Sequence, residues 1–107
     1  QLMDLQWVRE HSAVPALKSI ATLRSARINL EKGEYAQALD QLKSLDDTSY
    51  ASLAASVRGD VYSAQGKFTE ANKAYMVAEK GMQEKGVNDP LLSMKIMQVP
   101  KDKSNKT

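Results

Sequence analysis

Apolar side chains recur at spacings of three and four from Leu17 to Ile96, interrupted only at glycines, prolines and short polar runs. That period is the signature of helices with one buried face. The alternating apolar–polar runs, rich in valine and isoleucine, that would mark strands are absent. Six helices are predicted. The first spans 2–11 and carries Leu2, Met3, Leu5, Trp7 and Val8. Ser12 to Pro15 breaks it, the proline suiting a first helical turn and Ser12 offering an oxygen to its free amides. A long helix then runs to about residue 32, with Leu17, Ile20, Ala21, Leu23, Ala26, Ile28 and Leu30 on its apolar side, and Gly33 ends it. The partner helix at 35–44 buries Tyr35, Ala38, Leu39 and Leu42, with Leu45 just beyond. After the polar turn at 46–49, a helix over 50–65 turns Leu53, Ala54, Val57, Val61 and Tyr62 inward and stops at Gly66. The next runs to about residue 84 with Phe68, Ala71, Ala74, Tyr75 and Ala78. Residues 86–90 break the chain again. The last helix, 90–98, shows Leu91, Leu92, Met94, Ile96 and Met97, of which Met94 and Met97 are expected to pack it onto the preceding hairpin. The lysine-rich stretch at 101–107 has no apolar residue and is expected to be disordered.

The middle of the chain repeats itself. Ala26, Ile28, Gly33, Tyr35, Ala38 and Leu42 are answered 33 positions later by Gly59, Val61, Gly66, Phe68, Ala71 and Tyr75. Small residues answer small ones, aromatic answers aromatic, and the two glycines coincide. Such an order is the grammar of a helix–turn–helix unit that cannot bury its apolar face alone and must stack on a neighbour. Where two antiparallel helices come closest, Ala26 and Gly59 on the first helix, with Ala38 and Ala71 on the second, leave room for the backbones to approach. Tyr35, Leu42, Phe68 and Tyr75 fill the space above and below.

This order resembles the tetratricopeptide repeat. The second copy matches better, with Gly59, Tyr62, Gly66, Phe68, Ala71, Tyr75 and Ala78 in place. The first departs from it, since Asn29 stands where an aromatic is usual and Leu45 replaces a small residue. The fold class expected is all-α, a tetratricopeptide-like helical-hairpin solenoid of about two repeats plus flanking helices. The expected organisation is one domain over 1–100, with a remnant helix of a preceding repeat at 1–12, repeats at 13–46 and 47–86, a capping helix at 89–99 and a tail at 101–107.

More local motifs narrow the resemblance. Leu23-Arg24-Ser25-Ala26-Arg27, then Ala54-Ala55-Ser56-Val57-Arg58-Gly59-Asp60, Gln65-Gly66-Lys67 and Pro90-Leu91-Leu92-Ser93-Met94-Lys95-Ile96 are together similar to the C-terminal half of the YfgM-like family. That resemblance implies a bacterial inner-membrane protein with one N-terminal transmembrane helix and a periplasmic tetratricopeptide-like domain. Its implied partners are other proteins, namely Sec translocon components or a periplasmic chaperone. The chain begins at Gln1 and reads as a piece whose anchor or targeting segment would lie upstream.

Composition removes other function classes. No apolar run approaches the ~18 residues that span a bilayer. With no cysteine, disulfides, thiolate metal sites and cysteine nucleophiles are excluded. The formal charge of +2 is carried entirely by residues 101–107, where Lys101, Lys103 and Lys106 stand against Asp102. The other hundred residues are balanced, so no basic stripe for nucleic acid is called for. His11 is the only histidine and reads as a cap or surface group. No Ser/His/Asp order, nucleophile elbow or phosphate-cradling glycine loop stands out, so neither catalysis nor a cofactor is expected.

The candidate site is therefore a groove. Arg27 and Asp60 lie 33 apart at equivalent places on the first helix of each unit, with Leu23, Leu30, Glu31, Ser56 and Ser63 nearby. Three readings are open: a mixed polar and apolar groove that holds a peptide, an Arg27–Asp60 pair that bridges repeats, or simply two solvated charges. The function expected is a non-catalytic protein-interaction module. A generic scaffold for another complex and a regulatory domain of a larger enzyme are the alternatives. Residues 2–11 offer a self-association surface if their apolar side is unsheltered.

Overall fold

The structure, a computed structural model, describes residues 14–100. Five helices follow one another: α1 (Val14–Glu31), α2 (Tyr35–Lys43), α3 (Ala51–Ala64), α4 (Phe68–Glu84) and α5 (Pro90–Gln98). No strand occurs among the described residues, and the all-α helical-repeat architecture expected from the sequence is present. The helix at 2–11, its self-association surface, Ser12 and the tail at 101–107 lie outside the described residues.

Three of the helix ends are built alike. Gly33, Gly66 and Gly86 take φ of 80°, 76° and 75°, a region costly for any residue with a Cβ. The amide after each glycine reaches back to the carbonyl five residues earlier: Glu34 to Asn29, Lys67 to Tyr62 and Val87 to Met82, each at 2.8 Å. This is the Schellman closure, which satisfies carbonyls left over at a helix end. The fifth helix starts on a different device. Asp89 accepts hydrogen bonds from the amides of Leu91 at 3.1 Å and Leu92 at 3.3 Å, with Pro90 in the first turn.

Helix α3 is the shared wall of two cores. Its Ala54, Val57 and Val61 close a cluster with Ala26 of α1 and Ala38, Leu42 and Leu45 of α2 and its exit. Ala55, about 100° round the same helix, closes a second cluster with Ala71, Tyr75, Ala78 and Met82 of α4, Leu92 of α5 and Val99 just past its end. The alanines predicted at the close approaches, Ala26, Ala38 and Ala71, are fully buried. Burying a large apolar side chain such as Leu42 or Leu92 stabilises by roughly 1.5–3 kcal/mol, and both are buried here.

One expectation is corrected. Met94 and Met97 do not seat the last helix, being 51% and 82% exposed. Leu92, Ile96 and Val99, spaced by four and three, do that work against the second cluster. Leu23 and Leu30, expected beside the groove, are partly buried and pack against the first cluster. The seven-residue spacing between them puts both on the Ala26 side of α1.

Candidate peptide-binding face

The two hairpins differ at two matched positions that touch, and that difference makes the site. In the first, Ala26 and Leu42 share the core. In the second, 33 residues on, Gly59 and Tyr75 replace them. Gly59 has surrendered its side chain to the ring, since a Cβ there would collide with Tyr75. The longer side chain carries a hydroxyl past Gly59 to the next residue of α3, where it donates to Asp60 Oδ1. A buried tyrosine hydroxyl needs such a partner.

Asp60 also receives two cations. Arg27 Nη2 of α1 donates to its Oδ2 at 3.0 Å. Lys95 Nζ of α5 sits 3.2 Å from both carboxylate oxygens. One carboxylate on α3 thus holds groups from α1, α4 and α5, and places α1, α3 and α5 on a common face. The carboxylate is 13% exposed, whereas Arg27 is 48% exposed and stands over it. Burial, the hydrogen bond to Asp60 and the charge of Asp60 together push the Tyr75 phenol well above its ordinary value, and Arg27 works in the opposite direction.

Of the residues expected from sequence, Arg27 and Asp60 are brought together, and the bridge between repeats is real. Ser56 and Ser63 stand one turn either side of Asp60 along α3, each partly exposed. Glu31 lies one turn beyond Arg27 and is exposed. Tyr75 and Lys95 were not anticipated. A signal for each existed: a tyrosine where the first repeat has Leu42, and a lysine 35 residues after Asp60 on the next first-position helix. Arg58 belongs elsewhere, its Nη2 lying 2.9 Å from Asp46 Oδ1 in the connection between α2 and α3. Asn29, the departure from the repeat pattern, donates to Gln41 Oε1 at 2.7 Å, and Gln41 Nε2 donates to Ser25 Oγ at 2.7 Å. A polar ladder between α1 and α2 takes the place of an aromatic contact.

Among the described residues no group of three or more histidine, cysteine or carboxylate side chains is arranged to hold a metal ion. No described helix is long and apolar enough to cross a membrane.

Stacked antiparallel helix pairs with glycine-closed ends and alanine contacts define an interaction-repeat domain. Residues 2–101 match the model of the tetratricopeptide repeat-like domain, and the chain belongs to that family. A protein of Neisseria gonorrhoeae (strain ATCC 700825 / FA 1090) known as ancillary SecYEG translocon subunit is 33% identical over 92 residues. The match covers 86% of this chain and 44% of that relative, so the chain spans less than half its length. The likeness to the YfgM-like family read from the local motifs holds. No solved structure matches the chain.

Proposed function

We propose that this domain is a non-catalytic protein-binding module that works beside the Sec translocon, at the periplasmic face of a bacterial inner membrane, as a co-chaperone. The observation that carries the reading is the face shared by α1, α3 and α5, pinned by Asp60 through Arg27 and Lys95. A stack of helix pairs presents such a face to extended segments of other chains. The candidate contacts are Arg27, Glu31, Ser56, Asp60 and Ser63, joined now by Lys95. Resemblance to an ancillary SecYEG translocon subunit supports the choice of partner.

The test is site-specific photo-crosslinking from Ser56 and Ser63 in inner-membrane vesicles that contain SecYEG. Adducts with translocon subunits or a periplasmic chaperone are expected. Adducts confined to cytosolic proteins would reject the reading.

A further inference from the structure

Helix α5 repeats α3 at a spacing of 35. Val57 and Val61 of α3 have Leu92 and Ile96 in their places, and all four turn toward the preceding hairpin. Asp60 is matched by Lys95, and the two side chains meet. The other side of α3 carries α4. Ala55 and Tyr62 pack into the second cluster there, a Cβ on Gly59 would meet the ring of Tyr75, and one on Gly81 of α4 would meet Ser52. The matching side of α5 holds Pro90, Met94 and Met97, with Leu91 beside them. Met94 lies about 160° round the helix from the buried Leu92. Among the described residues no helix covers this side, and Leu91, Met94 and Met97 are each more than half exposed. Helix α4 extends the patch. It folds back on α5 through the turn at 85–89, and Ser93 donates to Glu79 between them. One turn from that bond, back along α4 and forward along α5, stand Met76 and Met97. Met76 is also more than half exposed.

We propose that this side of α5 pairs with the same side of α5 in a second copy of the chain, the two helices antiparallel and each serving the other as α4 serves α3. The contact lies apart from the face assigned to Sec partners and does not depend on that assignment. Its spacing is self-complementary. Leu91 and Met97 stand three residues either side of Met94. An antiparallel pair with Met94 on the two-fold axis therefore sets Leu91 of each copy level with Met97 of the other, as an isologous contact requires. A foreign helix has no need of that symmetry. None of the three residues is charged, so closing the contact desolvates no ion on the stripe. Lys95, on the flank, keeps Asp60 as its partner. Methionine suits a contact with itself, because its unbranched thioether chain adapts to what it meets. Residues 101–107 carry no apolar side chain and cannot cover the patch instead. Leu91, Met94, Met97 and Met76 are far fewer than the roughly 20–30 residues a side of a standard stable interface, so the pairing is weak and concentration-dependent.

Sedimentation equilibrium on the whole chain reads the association, and a monomer–dimer equilibrium in the micromolar range is expected. Met94→Lys sets two like charges against each other at the axis and is expected to weaken it about a hundredfold. Met94→Leu should leave it within about tenfold. Met94 is exposed, so both variants should melt with the natural chain, which separates lost pairing from lost fold. Because the chain has no cysteine, single cysteines report the register. With glutathione disulfide as oxidant, Met94→Cys should link to its own copy, whereas Val77→Cys, also exposed but on α4, should not. Leu91→Cys mixed with a tagged Met97→Cys should give more of the mixed product than of either self-linked one. A chain that stays monomeric at about 1 mM overturns the pairing. So does a dimer indifferent to Met94→Lys, whose contact then lies elsewhere, as at residues 2–11. Self-linking of Leu91→Cys in preference to the mixed product means parallel helices and overturns it as well. Sec crosslinks from Ser56 and Ser63 stand or fall independently of all these results.

Discussion

The ring of Tyr75 occupies the space that a side chain on Gly59 would need. Glycine in the middle of a helix ordinarily costs about 1 kcal/mol relative to alanine, and here that cost is exchanged for a tyrosine that crosses the core. Gly59→Ala is therefore expected to destabilise despite its better helix propensity, by about 1–3 kcal/mol as overpacking does. The first hairpin shows the remedy, since Ala26 and Leu42 occupy the matching places without conflict. Adding Tyr75→Leu to Gly59→Ala should recover most of the loss. Urea unfolding of the two single variants and the double checks it, and simple additivity of the two costs would contradict the contact.

Asp60 ties the last helix to the stack. Asp60→Ala should cost about 1–3 kcal/mol, because it strands a buried hydroxyl and two cations at once. The loss should show first as faster amide exchange over Leu92 to Val99. Lys95→Met keeps the apolar stem and removes only a partly exposed ion pair, so its cost should stay under about 1 kcal/mol. Equal costs for the two substitutions would mean that Asp60 is no more than a surface partner.

The raised Tyr75 phenol makes stability depend on alkaline pH. The fold favours the neutral hydroxyl over an ordinary value of 10.0. The contribution of Tyr75 is therefore present in full below pH 10 and is lost as pH rises toward the higher folded value. The urea midpoint should fall more steeply above pH 10 in the natural chain than in Tyr75→Phe. Parallel curves would show that the hydroxyl is not held as described.

At the helix ends, Gly66→Ala should cost about 1–2 kcal/mol, since φ of 76° is strained for alanine although no atom lies within 4 Å of the added methyl. Gly66→Asn should cost less, as asparagine tolerates this region better. A thermal melt that ranks the two the other way would remove the backbone argument.

Ala71 is fully buried where α3 and α4 touch. Ala71→Leu should destabilise the second hairpin more than Ala71→Gly, because the backbones leave no space for a longer side chain. Circular dichroism melts compare them directly.

Much of this architecture could be read from the chain because its signals are local. The glycines at 33, 66 and 86 mark helix ends through their own backbone freedom, and the 33-residue echo places helix against helix. The Arg27–Asp60 pair followed from the same echo. What was missed depended on helix rotation. Apart from Ser93 and Lys95 the run from Pro90 to Met97 is apolar and spread round the helix, so period alone did not decide that Leu92 and Ile96 turn inward while Met94 and Met97 stay out. Tyr75 was read as a core plug, which it is, but its hydroxyl finds Asp60 only because Gly59 lets the ring slide past α3. Lys95 reaches Asp60 across a spacing of 35 rather than 33, outside the strict repeat.

One helix, α3, contributes apolar residues to both clusters, through Ala54, Val57 and Val61 on one side and Ala55 on the other. Melting of the second hairpin would therefore strip Ala54, Val57 and Val61 from the core of the first, so the first cannot stand intact without it. In a short array such coupling dominates over the intrinsic stability of a single unit. The molecule is expected to come apart in one cooperative step, and a ligand seated across α1, α3 and α5 would stiffen every described helix at once.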